Sequence, residues 1–196
     1  QIISSLQQAI QVMLDPADCG PACISLSQDV QGEVYDYPEE FFKERIHTIR
    51  RPRPDDFQIK EAAELIKKSK KPIIIAGNSI HTSSTEKEYL SFVKKLKIPN
   101  LLTWNASDLL EYKSKYNLGR PGMFGQRAAN IIMQNCDLII AIGTHLNLAI
   151  TTPNTSNFSK NSKLVMVNID KDEIQNIKKK PNLVFNTDLK NFFKKI

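Results

Sequence analysis

The sequence holds few of the residues that staple a fold, ligate a metal or cross a membrane. Only three of its 196 residues are cysteine: Cys19, Cys23 and Cys136. The odd count and the lack of a C-x-x-C pair argue against a disulfide framework and point to a reducing, cytoplasmic setting. The three histidines, His47, His81 and His145, are scattered. None lies one helical turn from another potential ligand, so no metal site is predicted. Apolar runs such as Leu138–Ile142 stop far short of the roughly 20 residues that span a bilayer, and no membrane partner is expected. The chain starts at Gln1 with no basic-then-apolar leader, and reads as a piece of a longer protein. Catalytic constellations are lacking too. There is no Ser-His-Asp order in a plausible context, no G-x-S-x-G elbow, no Walker loop and no carboxylate pair forced together by spacing, so no catalytic residue is assigned.

What is there is the composition of a soluble globular chain, 41% hydrophobic, 24% charged and 8% aromatic, long enough for one full core. The net charge of +6 invites a nucleic-acid reading, but its lysines gather at Lys67–Lys71, Lys94–Lys97 and Lys178–Lys180. Each cluster closes a helical pattern, where cations complement the negative end of the helix dipole. No aromatic interleaving accompanies them, and no nucleic-acid partner is expected.

Residues 1–14 carry Ile2, Ile3, Leu6, Ile10, Met13 and Leu14 at helical spacing, ended by Asp15-Pro16. Ala22–Ser27 then alternates like a strand. One helix and one strand cannot bury a core, so residues 1–32 read as the end of an incomplete upstream α/β domain. Residues 33–56 are a linker, whose Tyr35, Tyr37, Phe41 and Phe42 are expected to pack onto a neighbouring surface. Residues 57–196 alternate helix and strand: helix 57–69, strand 72–76, helix 84–96, strand 98–103, helix 124–135, strand 137–142, strand 163–169, helix 171–177, strand 182–185 and helix 189–195. Ile73–Ile75 and Leu138–Ile142 are apolar on both faces, as parallel strands covered on each side must be. The fold class is therefore α/β, a doubly wound parallel sheet of about five or six strands flanked by helices. Ser83 with Glu86, and Asp170 with Glu173, have the spacing of helix starts.

An open parallel sheet binds ligands beyond the carboxyl ends of its strands. The loops to inspect are Gly77-Asn78-Ser79, Thr103-Trp104-Asn105, Gly143-Thr144-His145, the position of Asp170, and Asn186-Thr187-Asp188. The segment Gly119–Gly125 adds glycines that let backbone approach a ligand, ahead of a helix whose first amides can face an anion. A tight structural turn is an equal alternative, and the spacing is not that of a dinucleotide fingerprint. Asp170 and Asp188 suit either ribose hydroxyls or helix caps, capping being the commoner role. Trp104, the only tryptophan, suits stacking on a flat ligand or packing.

Gly20-Pro21-Ala22-Cys23-Ile24-Ser25-Leu26, followed by Gln28–Gln31, resembles the end of the pyrimidine-binding domain of thiamine diphosphate enzymes. Further matches follow in order: Arg51-Pro52-Arg53-Pro54, Ala62–Ile66, Lys70-Lys71-Pro72, Ala76-Gly77, Gly122-Met123-Phe124-Gly125, Asp137–Thr144 and Asn168-Ile169-Asp170. Together they resemble the central domain of the acetolactate synthase group. The resemblance covers nearly the whole chain, and the ordered set is more specific than any one motif. It implies that residues 1–32 end the pyrimidine-binding domain, 33–56 link, and 57–196 form the central domain. In the full protein it implies thiamine diphosphate and Mg²⁺ held by other domains, a 2-keto acid substrate that is decarboxylated and carboligated, and a homodimer or homotetramer. The fragment alone is then inactive.

For the central domain the resemblance implies a structural role or a site for FAD or ADP. The candidate contacts are Gly77, Asn78, Thr103, Gly122, Met123, Phe124, Gly125, Gly143, His145, Asp170 and Asp188. The chain departs from flavin-binding members in having His145 and Asn147 where an Arg and a carboxylate are usual, and Phe124 in place of a histidine. The linker from Gln28 to Pro38, with Phe41, Phe42 and His47, also resembles trihydroxycyclohexanedione hydrolases of inositol catabolism, which open a ring. Thr103–Ala106 and Gly119–Gly122 are closer to acetolactate synthase-like proteins. A stand-alone nucleotide-binding module related to deoxyhypusine synthase or electron-transfer flavoprotein sheets, and a pure scaffold, are the other readings.

Overall fold

A strand that is apolar on both faces must be covered twice, and the sheet is built around two such strands. The computed structural model describes residues 2–15, 19–39, 50–151 and 157–196. It divides into two compact units, Gln1–Arg51 and Pro52–Ile196.

In the second unit, β1 (Pro72–Ala76), β2 (Asn100–Leu102), β3 (Leu138–Ile142), β4 (Lys163–Asn168) and β5 (Leu183–Asn186) form one sheet in the order β2-β1-β3-β4-β5. Every pairing is parallel, with Ile74 opposite Ile140 and Ile140 opposite Val165. Successive residues of a strand face opposite ways, and two cores result. On one face Ile74, Ile140, Val165 and Phe185 pack with α3 (Asp56–Lys68), α5 (Glu86–Leu96) and α9 (Leu189–Lys195) through Ala62, Tyr89, Phe92 and Phe192. On the other, Ile73, Ile75, Ile139, Leu164 and Met166 pack with α6 (Arg127–Asn135), α7 (Leu148–Thr151) and α8 (Lys171–Asn176) through Ala129, Met133, Ile150 and Ile174. The predicted doubly wound α/β sheet is therefore the observed one.

Some boundaries move for local reasons. The predicted helix 84–96 is α5, beginning at Glu86, and a short helix that was not predicted, α4 (Ser79–Thr82), precedes it. Ser83 does not cap α5: its hydroxyl donates back to the Ser79 carbonyl at 2.6 Å, and Ser84 turns the chain with φ 53°. The strand predicted at 98–103 shortens to β2, whose outer edge is nonetheless paired. The Asn100 N–H donates to the Tyr116 carbonyl at 2.7 Å, and the Leu118 N–H to that of Asn100 at 2.9 Å. Such pairing removes a free edge on which other chains could add. At the amino end of the central strand Asp137 joins three donors, the Ser69 hydroxyl and the amides of Lys70 and Lys71, tying the α3–β1 turn to the start of β3. Burial raises its carboxyl pKa, but those donors outweigh it and hold the group below the usual carboxylate range.

The first unit carries α1 (Ile2–Leu14), as predicted, and a single turn α2 (Gln28–Gln31). Ala22–Ser27, expected as a strand, pairs with no strand among the described residues; a ladder needs a partner that they do not supply. Tyr35 and Tyr37 are exposed, while Phe41, Phe42 and His47 lie outside the described residues.

Candidate functional site

With β1 leading to β2 on one side and β3 lying on the other, the connections diverge between β1 and β3, which is where an open sheet builds its ligand site. A cavity of about 530 Å³ opens there, lined by the loops after β1, β2 and β3 and by Arg120, Pro121 and Phe124. Its polar wall is mostly uncharged: Asn78, Ser79, Thr82, Thr103, Asn105, Thr144 and Asn147. Its rim is aromatic and cationic. Trp104 opens a single 3₁₀ turn, Trp104–Ala106, and is 68% exposed, with the Arg120 guanidinium 5.7 Å from its ring centroid, within cation–π range. Phe124 is 76% exposed.

Of the candidate contacts read from the sequence, Asn78, Thr103, Phe124, Gly143 and His145 come together on this cavity, while Gly77, Gly122, Met123, Gly125, Asp170 and Asp188 do not line it. The glycines explain themselves by what sits against them. A Cβ on Gly77 would collide with the Gly143 carbonyl and Thr144, and one on Gly143 would meet Ser79 and Leu189. These loops close directly on each other, the Gly77 N–H donating to the Ile142 carbonyl at 2.9 Å and the Ser79 N–H to that of Gly143 at 3.1 Å. The missing Cβ of Gly122 makes room for the Ala149 carbonyl, and that of Gly125 for Arg120 and Pro121.

The segment from Gly119 to Gln126 is held by side chains before, within and after it. The Gly122 N–H donates to Asn130 Oδ1 at 2.7 Å, and Asn130 Nδ2 donates back to the Gly122 carbonyl at 2.9 Å. Gln126 Oε1 accepts from the Arg120 N–H at 2.9 Å, and Asn117 Oδ1 from the Gly119 N–H at 3.0 Å. The amides of Met123, Gly125 and Gln126 donate to the carbonyls of Ala149, Gly122 and Arg120. As a result α6 starts at Arg127, later than the predicted 124.

Both aspartates are helix caps. Asp170 Oδ1 accepts from the amides of Asp172 at 2.9 Å and Glu173 at 3.1 Å at the start of α8. Asp188, buried beyond β5, accepts from the Lys190 amide at 2.8 Å at the start of α9. Glu173 turns instead to His145, whose Nδ1 lies 2.8 Å from Glu173 Oε2, and Asn147 Oδ1 accepts from the Ala149 amide at 3.1 Å in the first turn of α7.

The sequence reading missed the clamp beside the cavity. His81 on α4 has Nδ1 3.1 Å from Glu86 Oε1 and Nε2 3.0 Å from Asp108 Oδ1. Both ring nitrogens face carboxylate oxygens, an arrangement that only the doubly protonated ring satisfies. The hydrogen bond to Glu86 raises its pKa most; burial opposes, and Asp108 adds to the rise. Asp108 follows the Trp104 turn, so the clamp ties one wall of the cavity to the start of α5. Asn130 was missed as a keystone, although an asparagine inside a helix is a poor helix former whose side chain often serves backbone.

Among the described residues no three His, Cys, Asp or Glu side chains gather to hold a metal ion, and no helix is long and apolar enough to cross a membrane. A family model described as "Thiamine pyrophosphate enzyme, central domain" matches residues 59–196. The 3D-(3,5/4)-trihydroxycyclohexane-1,2-dione hydrolase of Bacillus licheniformis is 40% identical over 171 residues, covering 87% of this chain and 27% of the relative. That of Listeria monocytogenes serotype 4b is 39% identical over the same coverage. That of Clostridium tetani is 42% identical over 144 residues, 74% of this chain and 22% of the relative. The chain thus spans only 22% to 27% of the length of these relatives.

Proposed function

The chain belongs to the family of thiamine pyrophosphate enzyme central domains, and from that premise we propose that it is the middle part of a thiamine diphosphate-dependent hydrolase acting on a trihydroxycyclohexanedione ring. The observation that carries the proposal is the 39% to 40% identity to such hydrolases over 87% of the chain, which extends well beyond the linker that first resembled them. Residues 1–32 are then the end of the pyrimidine-binding domain, 33–56 a linker and 57–196 the central domain.

Thiamine diphosphate with Mg²⁺ supplies carbanion-stabilising chemistry when bound. The resemblance assigns that pair to other domains of the longer protein, and no step is placed on these residues. What these residues do is keep two apolar cores dry on either side of one sheet, a rigid body between other parts of a longer subunit that works as a homodimer or homotetramer.

The test uses the full reading frame containing this chain, supplied with thiamine diphosphate and Mg²⁺, and offered the ring dione or pyruvate. Ring opening of the dione with no acetolactate from pyruvate is the expected result. Acetolactate formation without dione consumption overturns it in favour of the acetolactate synthase-like reading, which Thr103–Ala106 and Gly119–Gly122 support by resemblance. The 196 residues alone turn over neither compound.

A further inference from the structure

We propose that the cavity between β1 and β3 takes neither FAD nor ADP, and that Gly119–Gln126 is a clasp fastening the loop after β2 to α6 and α7.

A nucleotide's pyrophosphate needs free backbone donors, and a glycine-rich turn serves it by leaving its amides and its absent Cβ positions to the ligand. Here both are taken. From Gly119 to Gln126, every N–H except that of Phe124 and the missing one of Pro121 donates to a protein oxygen. The room left by the glycines is filled by Gln126, Ala149, Arg120 and Pro121. The crevice floor is shut in the same way, since Gly77 and Gly143 lack a Cβ because their two loops lie against each other.

The ribose end fares no better. Asp170 and Asp188, the two carboxylates placed to hold hydroxyls, cap α8 and α9 and lie off the cavity. Asp188 stands beyond β5, separated from β3 by β4. In the loop after β3, His145 is paired with Glu173 and Asn147 accepts from the first turn of α7. A phosphate brought to His145 would therefore meet a carboxylate beside it. The clasp amides other than that of Phe124, both aspartates, His145 and Asn147 thus have protein partners, while Asn78, Thr103 and the Arg120 guanidinium are among the polar groups that still face the cavity.

Asn130 is the keystone, because its side chain closes a two-way amide pair with Gly122 from one turn inside α6. The Met123 N–H to Ala149 bond of 2.8 Å then joins the clasp to α7.

Two measurements on the 196-residue chain test this. In calorimetric titration with FAD and with ADP, neither is expected to give a saturable heat up to about millimolar concentration. A saturable heat with either overturns the proposal. Amide hydrogen exchange followed residue by residue is expected to show Gly122, Met123 and Gly125 protected by roughly tenfold or more over a free loop. Asn130→Ala is expected to release Gly122 and Met123 while leaving the β3 amides protected. Free exchange at these amides in the unsubstituted chain overturns the clasp without recourse to a variant. Neither result depends on which reaction the longer protein performs, so failure here and failure of the ring-hydrolase assignment are told apart.

Discussion

Two helices of similar pattern meet opposite fates in the two units. α1 repeats isoleucine and leucine at helical spacing over Ile2–Leu14 and buries none of them, whereas the shorter α9, Leu189–Lys195, buries Leu189 and Phe192 completely enough to anchor a core. The difference lies in what faces them. α9 meets the open face of a sheet and the rings of Phe92 and Phe185, edge to face at centroid distances of 6.2 and 5.2 Å. α1 meets no comparable surface among the described residues. An apolar stripe states a demand for burial; stability arises only where another element meets it, at roughly 25 cal/mol for each Å² removed from water. A helix of this length has little stability of its own without such packing.

The contrast breaks most visibly at Phe192. Replacing it by alanine is expected to lower unfolding free energy by about 3–5 kcal/mol, because the ring is 1% exposed and its neighbours cannot collapse fully into the space. Urea unfolding followed by Trp104 fluorescence reads this, and a loss below about 1 kcal/mol would show that α9 is not held as the core packing requires.

A second test lies in the same core but concerns a polar pair. Tyr89 is fully buried and its hydroxyl donates to Asn100 Oδ1 at 2.7 Å, while Asn100 Nδ2 donates to the Ile98 carbonyl at 2.8 Å. Burial pushes the phenol pKa far above its ordinary value. Tyr89→Phe keeps the ring and strips the buried amide oxygen of its donor, an expected loss of about 1–3 kcal/mol in the same unfolding experiment. Tyr89→Phe together with Asn100→Ala should recover part of it.

These cores also show which parts of the molecule were legible from residues alone. β1 and α9 fall where the pattern put them, residue for residue, because an apolar run covered on both faces leaves little choice. The cap at Asp170 was legible for a similar reason, as a carboxylate one step before a helix has amides directly ahead of it. Ser83 was not, because its hydroxyl could serve the amides ahead or the carbonyls behind, and α4 decides for the carbonyls. At the cavity, the loops were legible from strand ends, and Asn78, Thr103 and His145 stand on its wall. Which partner each glycine amide takes was not. Those partners lie only two to eight residues away, at Asn117, Asn130 and Gly122, but no spacing marks which oxygen turns back onto the loop, and the neighbouring Met123 amide takes the Ala149 carbonyl of α7 from farther along the chain.

The His81 clamp gives a smaller effect with a sign. Its pKa is raised in the folded chain, first by Glu86 and then by Asp108, so folding favours the protonated ring. The stabilisation is complete below the unfolded value of about 6.5 and is lost as pH rises through the higher folded value. The urea midpoint should therefore decline as pH rises above about 6.5, and His81→Gln should flatten that decline. A slope unchanged by the substitution would assign the pH dependence to another group.

The smallest expected effect returns to α1. Leu6 is 44% exposed on a helix that buries nothing, so Leu6→Ala in this chain should change unfolding free energy by no more than about 0.5 kcal/mol, the range of ordinary surface substitutions. Alanine is the better helix former by a few tenths of a kcal/mol at most, too little to disguise a lost contact. The same substitution in the longer protein of the proposed assignment should be far more harmful, because the remainder of the pyrimidine-binding domain would lie on that stripe and the leucine would leave a cavity. If Leu6→Ala were equally mild in both settings, the stripe would have no partner in either. Residues 1–32 would then lose their place as the end of a packed domain.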